Sequence, residues 1–483
     1  MVQKNPYIGY RPTWAEVNLD NLSFNLAQIR KRIPHSTRVM ACVKADAYGH
    51  GLIPISLRLV AEGVDYLAVA SIDEAIRLRQ ARISKPILVL GLILKQDIEP
   101  LFDYDIVPTV CTEDFARVLD VMAGARGRVA RVHIKVDTGM GRIGVLSQDA
   151  FAFIQKIKRL KNIQIEGVFT HLASADVDRA FTNKQLRLFR GLVNRCEARG
   201  IHIPLVHAAN SMGVVSYARS HFSMVRPGLI LYGLYPAKGL SIHLKPVLSL
   251  KTRVIYKKCV HKGSGISYGH TYITPKNTSV ITLPIGYGDG YPRNLSNCGP
   301  VLINDAAFTI SGRVCMDQIM VDVGSRAVEV GDEVILIGSS ATRRITAEQL
   351  AELSGTIPYE IVCGLGSRVP RIYTPAVARS EENRQFARYE RKLPVRMLET
   401  SGWPDTFCYT HDISARGLQL VTERPLAPRM QVKLALEAQR EPPVHTQGTV
   451  VWARQNSVGL YHAGVKLDKS DLSGMCAGAS GGF

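Results

Sequence analysis

The chain has 483 residues, 46% hydrophobic and 21% charged, with a formal net charge of +19. That length exceeds one ordinary domain and allows two to four, and the composition is that of a folded globular protein rather than a disordered one. The opening "MVQKNPYIGYRPTW" has no apolar signal core, and the strongest apolar run, "PILVLGLIL", is too short to cross a bilayer, so a cytoplasmic protein without membrane insertion is expected. Nine cysteines without a C-x-x-C pair read as scattered thiols, with no disulfide framework and no metal site. From Glu381 onward 13 Lys and Arg stand against 11 Asp and Glu, so the basic excess lies earlier, mixed with acids. Without a nucleic-acid motif, that pattern argues against a nucleic-acid partner.

Taken in chain order, short apolar β-branched segments come first: "VMACV", "YLAVA", "ILVLG", "IVPTV", "VHIKV", "IEGVFT", "PLVHAA" and "MVRPG". Helix-like stretches separate most of them, such as "SIDEAIRLRQAR", where Ile72, Ala75, Ile76 and Leu78 suit one face. Eight such alternations in residues 8–240 predict a closed (β/α)8 barrel, an α/β architecture. From 241 to 377 the pattern turns to strands and Gly- and Asp-rich turns, as in "LSLKTRVIYKK" and "FTISGRVCMDQIMVDV", and predicts a mostly β domain. A polar linker is expected at 378–385, a β-rich unit at 381–469 and a mobile Gly/Ser-rich tail at 470–483.

In a (β/α)8 barrel the chemistry collects at the carboxyl ends of the strands. "VKADAYGHG" puts Lys44 at the end of the first. The fifth runs into "KVDTGMGRIG" with Arg142, the sixth into "THLAS" with His171, the seventh into "HAANSMG" with Ser211 and the eighth into "RPG" with Arg226. A lone lysine there is usually a snorkelling surface residue. An amine, two guanidiniums, an imidazole, a hydroxyl and Gly-rich backbone around one mouth instead suit a phosphorylated, planar, anionic cofactor held through a Schiff base.

Over residues 8–376 the chain resembles the alanine racemase family, pyridoxal-phosphate enzymes of fold type III. The motifs are "VKADAYGHG", "KVDTGMGRIG", "HAANSMG", "VRPGLILYG", "ISYGHTY", "PIGYGDGY", "GRVCMDQ" and "SRVPRIY", in family order. The resemblance implies pyridoxal 5'-phosphate on Lys44, which also serves as base on one face of the substrate Cα. It implies Tyr48, Ser211, the amides of Gly228 and Leu229, and Tyr373 at the phosphate, with Arg226 facing the pyridine nitrogen. Tyr268, from the second domain, becomes the base on the opposite face, supported by His171 and Arg226. Arg142 and the amide of Met316 take the substrate carboxylate, Lys135 is the lysine that the family often carbamylates, and Tyr287 and Tyr373 narrow the access channel. A homodimer with shared active sites, L-alanine and D-alanine as substrates and supply of D-alanine to peptidoglycan follow from the same resemblance. Gly288 departs from the pattern, standing where the family commonly has Ala, which bears on the strictness of alanine specificity. A broad-specificity racemase and a non-catalytic pyridoxal-phosphate carrier are the alternatives; such carriers lack the second domain.

Residues 381–469 resemble a PilZ domain, a β-barrel. "RQFAR" supplies Arg384 and Arg388, and "DISARG" supplies Asp412, Ser414 and Gly417. The resemblance implies cyclic di-GMP as ligand, since arginines can pair its phosphates and stack on guanine while Asp and Ser take the remaining polar edges.

Overall fold

The computed structural model describes residues 10–375 and, further on, 388–390, 394–398, 406–414, 417–422, 426–427, 429–436, 444–455 and 461–468. The expected linker at 378–385 and tail at 470–483 lie outside the described residues. The chain divides into two compact units, Met1–Val377 and Ala378–Phe483.

The first unit opens with β1 (Thr13–Asn18), which belongs to the mostly β domain although it lies in the segment read as barrel. It pairs antiparallel with Leu248–Arg253 and parallel with Arg371–Thr374, so the two ends of the unit are stitched into one sheet. The barrel follows as β2 (Arg38–Cys42), β3 (Tyr66–Val69), β4 (Ile87–Val89), β5 (Val107–Val110), β6 (Ala130–Asp137), β7 (Ile163–Phe169), β8 (Leu205–His207) and β9 (Met224–Val225). All pair in parallel, and β9 pairs back onto β2, which closes the ring. The strands are mostly buried because both faces are covered, one by the helices and one by the barrel interior. Side-chain caps begin several of the intervening helices: Ser71 accepts from the Glu74 amide, Thr112 from Phe115 and Asp178 from Phe181.

The β domain packs a seven-stranded sheet and a three-stranded sheet, Tyr256–Val260, Thr278–Leu283 and Ile319–Gly324. It also carries two helices that the strand pattern does not announce, Ala347–Ser354 and Pro358–Cys363. In the second unit Thr406–Ser414, Pro394–Leu398, Gln431–Leu436, Val444–Gln455, Tyr461–Leu467 and Gly417–Thr422 pair antiparallel in that order, and the last pairs with the first. This closed β-barrel surrounds Val395, Leu418, Leu420, Leu434, Val450 and Val465. Among the described residues no helix is long and apolar enough to cross a membrane.

Candidate active site

Lys44 is separated from the end of β2 by Val43 alone and stands at the barrel mouth. What comes next is a left-handed turn: Ala45, Asp46, Ala47 and Tyr48 have φ of 53°, 52°, 54° and 55°. For L-residues this costs roughly 1–2 kcal/mol each. Hydrogen bonds hold the turn, from Ala47 N to Val43 O (2.8 Å), Gly49 N to Ala45 O (2.9 Å) and Gly51 N to Asp46 O (2.9 Å). Asp46 Oδ1 also accepts from the Leu52 amide at 3.0 Å. Strain of this size persists only where its surroundings impose it, and it falls beside the lysine. No glycine occurs within Ala45–Tyr48, so nothing in the sequence pattern gives this turn away.

The turn sends Tyr48 into the interior, where its ring lies 4.8 Å from that of Tyr232. Burial pushes the Tyr48 phenol well above its ordinary value, which keeps it a protonated donor. Its hydroxyl abuts Gly228 so closely that a Cβ there would come within 2.4 Å. Ser211 Oγ faces the same point and accepts from the amides of Gly228 (3.1 Å) and Ile230 (3.5 Å). Leu229 is buried in that short turn. Two hydroxyls and the buried amides of this turn, with no carboxylate hydrogen-bonded to them among the described residues, form a cradle for an anion. Tyr373 packs beside it: a Cβ on Gly51 would lie 1.9 Å from its hydroxyl, which donates to His50 O at 3.2 Å. Burial and then Asp46 raise its phenol to about 12.

Arg226 is buried and donates to His207 Nδ1 (2.7 Å), Thr170 O (2.6 Å) and Ala208 O (3.2 Å). Burial lowers its guanidinium to about 10, still protonated at neutral pH. Lys135 lies inside the barrel with its Nζ 3.2 Å from Val136 O. Burial first, then Arg226 and Arg142, lower it to about 7, so that the neutral amine is well populated. His171, after β7, is pushed well below its ordinary value by burial and by Arg226, Lys135, Arg142 and Lys44, and is neutral. Those cations therefore lie within electrostatic reach of one imidazole, which brings four strand ends together. Arg142 itself is exposed. Its loop is shaped by Asp137 Oδ1, which accepts from Gly139 N and Met140 N at 2.8 Å.

Tyr268, Met316 and Tyr287 come together on the β domain and are 70%, 53% and 43% exposed. Tyr268 is thus no core tyrosine. Ser267 Oγ donates to Arg313 O at 2.6 Å, Tyr287 N to Cys315 O at 3.0 Å and Gly288 N to Met316 O at 2.8 Å, which ties the three loops. Among the described residues no hydrogen bond, ion pair or ring contact joins Tyr268, Tyr287 or Met316 to Lys44, His171 or Arg226. Sequence reasoning missed the fastening beneath these loops. Asp289, wholly buried, receives Arg11 through both carboxylate oxygens and the Gly286 amide at 2.9 Å, while Arg368 Nη2 reaches Asp317 Oδ1 at 2.7 Å. The usable signal was the acidic residue within the turn-rich "GYGDGY". A Cβ on Gly288 would meet Met316 O at 3.0 Å and Met316 Cγ at 3.2 Å.

In the second unit the strand register sets Arg388 opposite Ser414, and Ser414 opposite Gly417, while Asp412 lies opposite Glu390. Arg384 lies outside the described residues. Among the described residues no cluster of His, Cys, Asp and Glu could hold a metal ion.

Strand ends converging on one mouth, completed by a β domain, define a two-domain barrel enzyme. Family models for the alanine racemase N-terminal domain, the alanine racemase C-terminal domain and the PilZ domain match residues 17–236, 247–373 and 382–474. An alanine racemase of Halothermothrix orenii is 49% identical over 367 residues, 75% of this chain and 97% of that protein. The structure of the alanine racemase of Clostridium difficile 630 superposes with a TM-score of 0.72 at 39% identity, over 76% of this chain and 96% of that one. A histidine racemase from Leuconostoc mesenteroides subsp. sake reaches 0.69 at 29% identity, over 76% and 99%. The chain belongs to the alanine racemase family, a family of isomerases, and carries a C-terminal PilZ domain. Both racemase domains are present, which sets aside the single-barrel carrier.

Proposed function

We propose that the chain interconverts L-alanine and D-alanine with pyridoxal 5'-phosphate, as a homodimer that supplies D-alanine for peptidoglycan. The observation that carries this reading is a strand-end lysine beside a carboxylate-free cradle of hydroxyls and amides. That donor set fits a phosphate dianion, because every group in it can donate or be turned to donate. Lys44 would hold the cofactor covalently; Tyr48, Ser211, the amides of Gly228 and Leu229, and Tyr373 would hold its phosphate end. When bound, the cofactor supplies a carbonyl for the substrate amine and a conjugated ring over which charge developing at Cα spreads.

The chain's own groups do the rest. Lys44 Nζ takes the proton from one face of the substrate Cα, and Tyr268 Oη of the partner subunit serves the other face. Neutral His171 would offer a nitrogen to the Tyr268 hydroxyl and orient it, accepting its hydrogen bond without taking the proton. Arg226, protonated and fixed by three acceptors, would face the cofactor's ring nitrogen as a donor only. Arg142, exposed at the mouth, pairs the substrate carboxylate, together with the Met316 amide of the partner subunit. Lys135, buried and with its neutral amine well populated, is in the form that adds carbon dioxide; the resulting anion would hold Arg142 in place. A carbamate signal under 13C-bicarbonate that disappears in Lys135→Gln checks this.

The test of the whole reading is L- to D-alanine conversion by the purified chain. Lys44→Ala should lose both the absorbance of bound cofactor and the activity. An unchanged spectrum in that variant would remove Lys44 from the assignment.

A second reading is a racemase of broader specificity, because Gly288 stands where the family commonly has Ala and a Cβ there would press on Arg368 Nη1 at 2.7 Å and Met316 O at 3.0 Å, so the Tyr287 loop sits differently against them than an alanine would allow. Assaying L-serine and L-histidine beside L-alanine separates the two. For the C-terminal unit, we propose cyclic di-GMP as ligand, held by Arg384, Arg388, Asp412, Ser414 and Gly417; the adjacent register of Arg388, Ser414 and Gly417 supports it.

A further inference from the structure

Behind Arg226 the barrel interior holds a file of polar side chains that no step above uses. Arg226 Nη1 lies 2.7 Å from His207 Nδ1, and His207 Nε2 lies 2.8 Å from His133 Nδ1. His133 Nε2 faces Glu166 Oε2 at 3.6 Å, longer than a hydrogen bond, and has no other polar partner among the described residues, so this last link is electrostatic. Both histidines are wholly buried. Tyr66 donates to the same Glu166 oxygen at 2.7 Å, and Arg131 lies 3.6 Å from the other one. The His207 ring is stacked on Phe169 at 4.8 Å. The His133 ring sits over Gly167, its partner across the β6–β7 register, where a Cβ would come within 2.5 Å of Nδ1.

The two ends of this file allow one direction of donation. A guanidinium has donors only, so His207 Nδ1 must accept. Burial and the charge of Arg226 keep His207 neutral, and a neutral imidazole with a bare Nδ1 carries its proton on Nε2. That proton points at His133 Nδ1. His133, kept neutral chiefly by burial, then carries its own proton on Nε2, toward Glu166. Burial opposes ionisation of Glu166, but His133, Tyr66 and Arg131 together hold its carboxyl below the ordinary range, so it can only accept. A reversed file would ask a carboxylate to donate and a guanidinium to accept.

We propose that His133 and Glu166 are positioning residues for Arg226: a one-way relay, Arg226 to His207 to His133 to Glu166, sets the His207 tautomer from inside the barrel and thereby seats the guanidinium at the mouth. Its effect on the rate rests on the racemase reading above; the relay itself does not.

The test uses the full chain labelled with 15N-histidine, with the two signals assigned through His133→Gln and His207→Gln. Both rings should show a bare Nδ1 and a protonated Nε2. In Glu166→Gln, whose amide can donate as well as accept, both nitrogen patterns should shift toward a mixture of tautomers. The holoenzyme should then lose about ten-fold in kcat, with KM for alanine and cofactor content unchanged, as expected when a group is misplaced rather than removed. Gln at position 133 can accept from His207 and donate to Glu166, so His133→Gln should keep most of the rate and His133→Leu should not. A protonated Nδ1 on His207 in the unsubstituted chain, an unchanged pattern in Glu166→Gln, or equal behaviour of the Gln and Leu variants would each overturn the relay. The nitrogen signals need no turnover, so a chain that fails to racemise alanine would reject the racemase reading and leave the relay to be judged by its own spectrum.

Discussion

At the scale of residues, the case turns on faces. A proton removed and returned by one group regenerates the starting hand, so Lys44 alone cannot racemise. Tyr268 is well exposed in the single chain and grouped with Met316 and Tyr287, and the proposed homodimer would have it serve the partner's site. Tyr268→Phe removes the hydroxyl and leaves the ring. Racemisation should fall by about 10²- to 10⁴-fold, the usual range for a lost general acid or base, while the cofactor absorbance stays. A wild-type rate in that variant would place the second base elsewhere. Both residues stand out as candidates because they lie in distinctive strings, "VKADAYGHG" and "ISYGHTY". His133 and His207 stand out less: a histidine inside "VHIKV" or "PLVHAA" is visible as a polar intruder in an apolar strand, but its partner is not, since His133 and His207 lie on β6 and β8, 74 residues apart.

At the scale of elements, the anion cradle is built by three short segments that meet only because the barrel closes: the left-handed turn after β2, the Ser211–Ser216 helix after β8 and the turn after β9. Their fit at Gly228 is steric. An alanine at Gly228 would put its Cβ 2.4 Å from the Tyr48 hydroxyl and 3.1 Å from Tyr48 Cζ. Overpacking of this kind costs about 1–3 kcal/mol. Gly228→Ala should therefore weaken cofactor binding by roughly ten-fold or more, read by spectroscopic titration of the cofactor-free chain. Full-strength binding would mean that Tyr48 does not face the phosphate. The eight segments of the barrel were readable as strands because burial on both faces leaves short runs that are mostly apolar. The left-handed turn was not, since Ala, Asp, Ala and Tyr have no local reason to leave the right-handed region.

At the scale of the whole molecule, an isomerase and a PilZ domain share one chain, and binding and coupling are separate questions. Removing a guanidinium that pairs a phosphate costs about 1.5–3 kcal/mol, so Arg388→Ala should weaken cyclic di-GMP binding by the full chain about ten-fold or more. Calorimetry showing no heat with the unsubstituted chain would leave the unit as an interaction module. Regulation further requires the ligand to bind two states of the chain with different affinity, and an unchanged racemase rate at saturating ligand would reject it. The sequence by itself determined the architecture, three successive patterns of periodicity and turn chemistry, and the identity of the residues with reactive side chains, because both depend on neighbours in the chain. Only the tertiary structure decided which of those residues meet. It moved Thr13–Asn18 into the sheet of Leu248–Arg253, locked the Tyr287 and Met316 loops through Arg11 and Asp289, and aligned His207 with His133 and Glu166. The physical reason is the same in each case: pairing across a sheet or through a buried core is set by burial and by hydrogen-bond direction in space, and neither has a period along the chain.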